Sequence, residues 1–346
     1  MADKMISERS WGGQLLCSGY DPQIDFLKGV SILWVLLTHC IPYDVQDKIL
    51  FCLWGAQAVP LFIIIQVFHS YKKGFENVTL SIKKLWNRII RPFLFTIGVI
   101  YVLYLIYGYF THVSITEQTI KFFKSGGAGP GSYYFWIYLQ FVLILPIMAI
   151  LMKRFKLWGN LILLIAISEM LEVLCCLIHF PDWLYRLLFF RYFFLLYIGF
   201  YLVKRVLRIN IWLLAVTIIS CVAIMLFKYG GVNTEPFFLN SDWESQHWIC
   251  YGYLPFLIYA LLTVCRKTNI KASNNLIKII GKCSYEIFLW QMIYFLAPIQ
   301  PILIKVFKND VIATLFYIIL SMVVCVTPVL YIKQKKELRE IWNTKK

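Results

Sequence analysis

Long apolar stretches separated by short polar connections run along almost the whole chain. Each stretch has close to the twenty residues that an α-helix needs to cross the hydrocarbon core of a bilayer. The pattern predicts about ten transmembrane helices, over residues 24–41, 49–69, 89–110, 133–152, 157–179, 183–203, 209–227, 248–265, 276–298 and 311–332. The predicted fold is therefore all-α, that of a polytopic membrane protein.

Lysine and arginine are distributed unevenly between the connections, and this predicts the orientation of the spans. Every second connection is rich in basic residues, and these are 72–88, 153–156, 204–208, 266–271 and the tail 333–346. Basic loops remain in the cytoplasm, so an even number of spans puts both termini there. The net charge of +16 then reflects orientation in the membrane, and no nucleic-acid partner is expected.

Composition supports a single membrane domain. Hydrophobic residues make up 60% of the chain and charged residues only 15%, which excludes an ordinary soluble domain. The prediction is a cytoplasmic segment over 1–23 without a signal peptide, a membrane domain over 24–332 and a basic cytoplasmic tail over 333–346, in the plasma membrane. Most of the ten cysteines lie in apolar runs without metal-ligand spacing, so no metal site is expected.

The first predicted span carries two ionisable side chains. Lys28 and His39 are eleven residues apart, close to three helical turns, so they share one face about 16 Å apart along the axis. Ionisable residues within a membrane span point to a functional site. Two alternatives stay open: His39 is a packed, hydrogen-bonded histidine, or Lys28 pairs with Asp25 or extends to the membrane surface.

Two arginines open the third span near its cytoplasmic end. Arg88 and Arg91 are three residues apart, and their guanidinium groups suit bidentate binding of phosphate. Anchoring of the helix at the cytoplasmic surface is the alternative role.

Acidic and basic residues also occur in spans five and six. Glu169 and Glu172 lie one turn apart in span five, and Arg186 and Arg191 lie in span six. Such groups are costly in a membrane unless they are matched or solvated. Either a substrate role or a structural Glu–Arg bridge accounts for them.

Three further candidates lie in spans four and nine. Trp136 follows two tyrosines at the outer start of span four, where an aromatic belt would explain the tyrosines. Ser284 and Gln291 share one face of span nine, where polar contacts between helices are the alternative. Together these residues predict a polar cavity across the membrane, basic inside and mixed outside.

Two connections are predicted to be external. The glycine-rich loop 126–131 is expected to be flexible. The loop 228–247 offers four side chains for contact with a ligand outside the cell, namely Asp242, Trp243, Glu244 and His247.

Four segments resemble motifs of the acyltransferase 3 family, a family of integral-membrane O-acyltransferases. Residues 24–39 resemble its opening motif, in which an arginine precedes a histidine by ten intervening residues, although lysine stands at position 28 here. Arg88-Ile-Ile-Arg91-Pro resembles its arginine pair, and 132–141 resembles the segment with a functional tryptophan. Residues 281–291 resemble its late G-x-x-S-Y-x-I-x-L signature.

The resemblance implies transfer of an acyl group, expected to be acetyl, from cytosolic acyl-CoA to a hydroxyl of a cell-surface or lipid-linked sugar. It implies that His39 acts as general base or as transient acyl carrier. Placement along the spans adds further candidate roles: catalysis for Glu172 and Glu169, donor binding for Lys28, Arg88 and Arg91, and substrate binding for Trp136, Arg186, Arg191, Ser284 and Gln291. A transporter or flippase for a sugar-linked or anionic substrate is the alternative function.

Overall fold

The computed structural model describes residues 21–72, 82–127, 129–204, 207–239, 243–267 and 276–344. Every regular element within these ranges is helical, so the predicted all-α fold is confirmed. The α-helices are α1 (Pro22–Cys40), α2 (Tyr43–Lys48), α3 (Ala58–Lys72), α4 (Ile82–Leu85), α5 (Arg91–Thr111), α6 (Ile115–Lys124), α7 (Ser132–Lys153), α8 (Leu157–Leu177), α9 (Asp182–Tyr185), α10 (Leu195–Lys204), α11 (Ile211–Tyr229), α12 (Leu254–Lys267), α13 (Leu276–Lys282), α14 (Ser284–Tyr294), α15 (Ile299–Phe307) and α16 (Asp310–Thr344). A π-helical turn, Trp86–Ile90, joins α4 to α5.

Among the described residues, seven helices are long and apolar enough to cross a membrane. The number rises to eight if α14 and α15, which meet at a bend of 66°, form one broken span. The seven are Phe51–Lys72, Ile82–Thr111, Ser132–Lys153, Leu157–Leu177, Ile211–Tyr229, Trp248–Lys267 and Asp310–Lys335. Each coincides with a predicted span, so the protein crosses the membrane several times. The count of ten and the cytoplasmic termini stay predictions.

The chain divides into two compact units. The described part of the first unit consists of Asp21 and of residues within Val59–Leu80 and Tyr134–Asn269. The described part of the second falls within Pro22–Ala58, Ser81–Tyr133 and Ile270–Lys346.

In the second unit, α1 and α13 pack backbone against backbone. A Cβ atom added at Gly281 would lie 1.7 Å from the carbonyl oxygen of Asp25, and one added at Gly29 would lie 2.0 Å from that of Ile277. Any side chain at either position would therefore push the helices apart. Asp25 and Gly29 lie in the opening motif, and Gly281 begins the late G-x-x-S-Y signature, so the two motifs meet at this helix contact.

The segment after α5 folds back along that helix. Gln118 of α6 packs on Gly108, whereas the ring of Phe122 lies 4.9 Å from that of Tyr101. As α6 advances from 118 to 122, its contacts on α5 move back from 108 to 101, so the two helices are antiparallel.

The glycine-rich loop continues this return, and it is packed rather than flexible. A Cβ atom at Gly127 would lie 2.3 Å from the side chain of Ile97, and one at Gly131 would lie 3.1 Å from that of Phe288. Both glycines have positive φ angles, of 116° and 82°, which favour glycine. Ile97 precedes Thr111 by fourteen residues, so the loop lies about 21 Å back along α5. The prediction of a flexible loop was wrong because long-range packing holds it.

The predicted sixth span, 183–203, is interrupted. It consists of α9, a 3₁₀ turn at Phe190–Tyr192 and α10. The guanidinium group of Arg191 donates to the backbone carbonyls of Tyr185 and Arg186, each at 3.4 Å. The break makes these carbonyls available to a buried cation.

Candidate functional site

His39 lies in the last turn of α1 and is half-buried. Its ring is tilted against that of Phe295, with centroids 5.2 Å apart. The next residue, Cys40, accepts a hydrogen bond at its carbonyl from Nε2 of Gln300, at 3.3 Å. The imidazole is thus held by packing at the end of a helix, with part of its surface accessible.

Lys28 lies on the same helix and pairs with Asp25. Its Nζ is 3.5 Å from Oδ1 of Asp25, and the lysine side chain is 27% exposed against 9% for the aspartate. The second carboxylate oxygen of Asp25 is buried and has no hydrogen-bond partner among the described residues. This geometry supports the pairing alternative, and it leaves the lysine head accessible to an anion.

Arg88 and Arg91 flank the junction between the π-helical turn and α5, and both are exposed. Between them, the carbonyl of Ile89 accepts a hydrogen bond from the hydroxyl of Tyr285, at 2.6 Å. Single π turns are frequent at functional sites because they leave backbone carbonyls outside the regular helix pattern. The tyrosine of the late signature therefore supports the turn that carries the arginine pair.

Ser284 begins α14 and is half-buried, and Gln291 lies two turns further on and is fully buried. Nε2 of Gln291 donates to the carbonyl of Pro130 in the glycine-rich loop, at 3.0 Å. The second unit thus contains Lys28, His39, Arg88, Arg91, Ser284 and Gln291.

In the first unit, Glu172 is the centre of a buried polar cluster. It is only 2% exposed, and its Oε1 accepts a hydrogen bond from the hydroxyl of Tyr185, at 2.7 Å. Its Oε2 lies 3.7 Å from Nδ1 of His247, whose ring stacks on Phe238 at 4.4 Å. A carboxylate between a phenol and an imidazole can hold or stabilise a proton.

His247 was expected to face a ligand from an external loop, and this prediction was wrong. The residue is 0% exposed, because contacts with Glu172 and Phe238 draw it inward. Trp243 likewise makes a contact within the unit, because the guanidinium carbon of Arg191 lies 4.3 Å from the centroid of its ring. Asp242 and the side chain of Glu244 lie outside the described part of the chain.

Glu169 lies one turn before Glu172 and is half-buried. Its Oε2 accepts a hydrogen bond from Nε1 of Trp248, at 2.7 Å. The two carboxylates therefore have different partners, an indole for Glu169 and an imidazole with a phenol for Glu172.

Arg191 is 1% exposed and lies over the rings of Trp243 and Tyr192, at 4.3 and 4.7 Å. Arg186 is half-buried and contributes its carbonyl to the guanidinium of Arg191. Cation–π contacts and backbone carbonyls thus hold the buried cation.

Trp136 is 40% exposed on α7. One turn later, Nε2 of Gln140 donates to the carbonyl of Leu187 at 2.7 Å, and its Oε1 accepts from the backbone N–H of Phe189 at 3.3 Å. Gln140 was not predicted to matter, yet it fixes the interrupted sixth span against α7.

The sequence model of one protein family, described as an acyltransferase domain, matches residues 21–330, which is nearly the whole chain. The chain belongs to the acyltransferase 3 family. The protein is therefore a multi-pass membrane acyltransferase, and group transfer is favoured over transport. No curated protein and no solved structure gives a significant match to the chain.

Three residues of this acyltransferase were not predicted to support the candidate site residues. Tyr185 and His247 lie against Glu172, and Tyr285 bonds the backbone between Arg88 and Arg91. Each is aromatic or ionisable in a segment rich in such residues, so its partner was not evident from the sequence.

Proposed function

We propose that this acyltransferase moves an acyl group, acetyl as the expected case, from cytosolic acyl-CoA to a hydroxyl of a cell-surface or lipid-linked sugar at the plasma membrane. The observation that carries the proposal is the placement of two contacts along α14. Tyr285, near one end, bonds the turn with the arginine pair, and Phe295, just past the other end, packs on His39. These two contacts are ten residues, or about 15 Å, apart along the axis.

The donor binds with its phosphates at Arg88 and Arg91. Exposed guanidinium groups on a helix end form charge-assisted, bidentate hydrogen bonds with phosphate. Lys28 adds a positive charge on the same unit. Its ammonium group cannot form the bidentate fork of an arginine, so it acts as a point charge.

His39 acts on the acceptor. Its imidazole takes the proton of the acceptor hydroxyl, and the oxygen attacks the thioester carbonyl. The carbon–sulfur bond breaks, and the CoA thiolate leaves and takes up the proton from the imidazolium. The alternative, in which His39 carries the acyl group briefly, needs the same side chain at the same place.

The first unit holds the two candidate catalytic carboxylates, Glu169 and Glu172. Glu172 is favoured over Glu169 as the acidic group, because it is almost fully buried and lies beside an imidazole. Trp136 and Arg186 are the candidate acceptor contacts in this unit, since aromatic and guanidinium groups suit the faces and hydroxyls of a sugar. Arg191, also predicted to bind substrate, is only 1% exposed and acts instead as a buried support. Ser284, in the second unit, remains a candidate for substrate binding.

Transfer of label tests the proposed reaction. Membranes that contain the protein are supplied with acetyl-CoA labelled in the acetyl group, together with envelope glycan. We expect alkali-labile label in the glycan in wild-type membranes and none with His39→Ala. Release of free labelled acetate alone would show a thioesterase. A glycan that crosses the membrane unlabelled would show a transporter.

A second prediction separates the two carboxylates. In Glu172→Gln, the amide oxygen still accepts from Tyr185, but the negative charge beside His247 is lost. We expect transfer to fall about ten- to a hundredfold at saturating donor, the size of a hydrogen bond to a charged group. Glu169→Gln is the matched control and should keep most activity, because an amide oxygen still accepts from Trp248. Equal losses in both variants would contradict a distinct role for Glu172.

A further inference from the structure

The side-chain amide of Gln291 is fully buried, and only its nitrogen makes a hydrogen bond among the described residues. Its Nε2 donates to the carbonyl of Pro130, so its Oε1 is the acceptor that remains. That oxygen is buried and has no hydrogen-bond partner among the described residues. A buried acceptor without a partner costs about 1–3 kcal/mol, so the position suits a donor that the described part of the chain does not supply.

The surroundings of Gln291 are non-helical backbone at the depth of a membrane span. The glycine-rich loop lies against Ile97 of α5 and Phe288 of α14, and α5 belongs to the candidate span Ile82–Thr111. Irregular backbone at such depth is tolerated where it is buried in protein or lines a polar cavity. Glycine at position 131 keeps a side chain away from the Gln291 amide, since a Cβ atom there would lie 3.7 Å from Nε2.

The level of Gln291 follows from its position on α14. Tyr285 donates to the carbonyl of Ile89, between the two arginines, and Phe295, just past the end of α14, contacts His39. Gln291 precedes Phe295 by four residues, so it lies about 6 Å from the level of His39, on the side of the arginine pair.

This order matches the chemistry of an acyl-CoA. A CoA thioester has phosphates at one end, two secondary amides along its pantetheine arm and the thioester at the other end. Along α14 the arginine pair comes first, then Gln291, then His39. We infer that Oε1 of Gln291 accepts a hydrogen bond from a pantetheine amide N–H and so positions the arm between the arginines and the histidine. The inference rests on the proposed function.

CoA analogues with one amide replaced by an ester test the inference, because an ester keeps the carbonyl and lacks the N–H. Binding is measured on the full-length protein with CoA and with each of the two single-ester analogues. Wild type should bind one ester analogue about three- to tenfold more weakly than CoA, the effect of one neutral hydrogen bond. Gln291→Leu should bind CoA and that analogue equally.

Two variants control for folding. Gln300 also donates to a backbone carbonyl in the same unit, so Gln300→Leu should retain the full preference for the amide. Gln291→Glu, protonated in its buried site, keeps an acceptor oxygen and should retain the preference as well.

The outcomes separate this inference from the proposed function. Wild-type protein that fails to bind CoA would overturn the proposed function and the inference with it. CoA binding with an undiminished amide preference in Gln291→Leu, or with no amide preference in wild type, would overturn the inference alone and would point to an ordered water at Oε1.

Discussion

His39→Ala is expected to lower acyl transfer by about a hundred- to ten-thousandfold, the usual contribution of a general acid–base group. Donor binding should change little, because His39 lies at the far end of α14 from the arginine pair. The ring packs on Phe295 and is only half-buried, so its removal leaves no large cavity in the core. Transfer from labelled acetyl-CoA and CoA affinity are measured on the same preparation.

His69→Ala is the matched control for His39→Ala. His69 is an exposed histidine in the last turn of α3, and its loss should leave both transfer and affinity near wild type. If His39→Ala weakens CoA binding as strongly as it slows transfer, His39 is a structural residue. Acid quenching with mass analysis of the protein distinguishes a base from an acyl carrier, since only a carrier retains the acyl group.

Arg88→Ala and Arg91→Ala are each expected to weaken CoA binding about ten- to a hundredfold. Each variant removes a charge-assisted contact with phosphate, worth about 1.5–3 kcal/mol. At saturating acyl-CoA the rate of transfer should recover, because the arginines bind the donor and do not take part in bond formation. The measurements are CoA affinity and the dependence of transfer on donor concentration.

Lys83→Ala and Lys84→Ala are the controls for the arginine variants. Both lysines are exposed on α4, just before the π-helical turn. They carry the same charge as the two arginines and lie nearby, but they are outside the turn. Losses of affinity as large as those of the arginine variants would show a diffuse attraction by positive charge. Arg88→Lys adds a sharper comparison, since it keeps the charge and removes the bidentate geometry.

The glycine-rich loop illustrates what local sequence leaves open. Three of its glycines adopt positive φ, and composition alone predicted a flexible connection. Its order comes from residues distant in sequence: Ile97, Phe288 and Gln291. The glycine content of a segment does not reveal such long-range contacts.

His247 shows the same limit for an ionisable residue. Its neighbours in sequence are polar, which predicts exposure, yet it is buried against Glu172, 75 residues earlier. Its ring also stacks on Phe238, with centroids 4.4 Å apart. Only the folded chain identifies these neighbours.

The sequence by itself determined the helical class, the positions of seven described helices that are long and apolar enough to cross a membrane, and the motifs that mark the family. Spans follow from apolar length, because in lipid each span must satisfy its backbone internally, and that requirement is local. The order of the arginine pair, Gln291 and His39 along α14 was decided by tertiary structure. It depends on the contact of Phe295 with His39 and on the bond from Tyr285 to Ile89, which join residues 256 and 196 positions apart. Both contacts are long-range, and apolar periodicity carries no information about them.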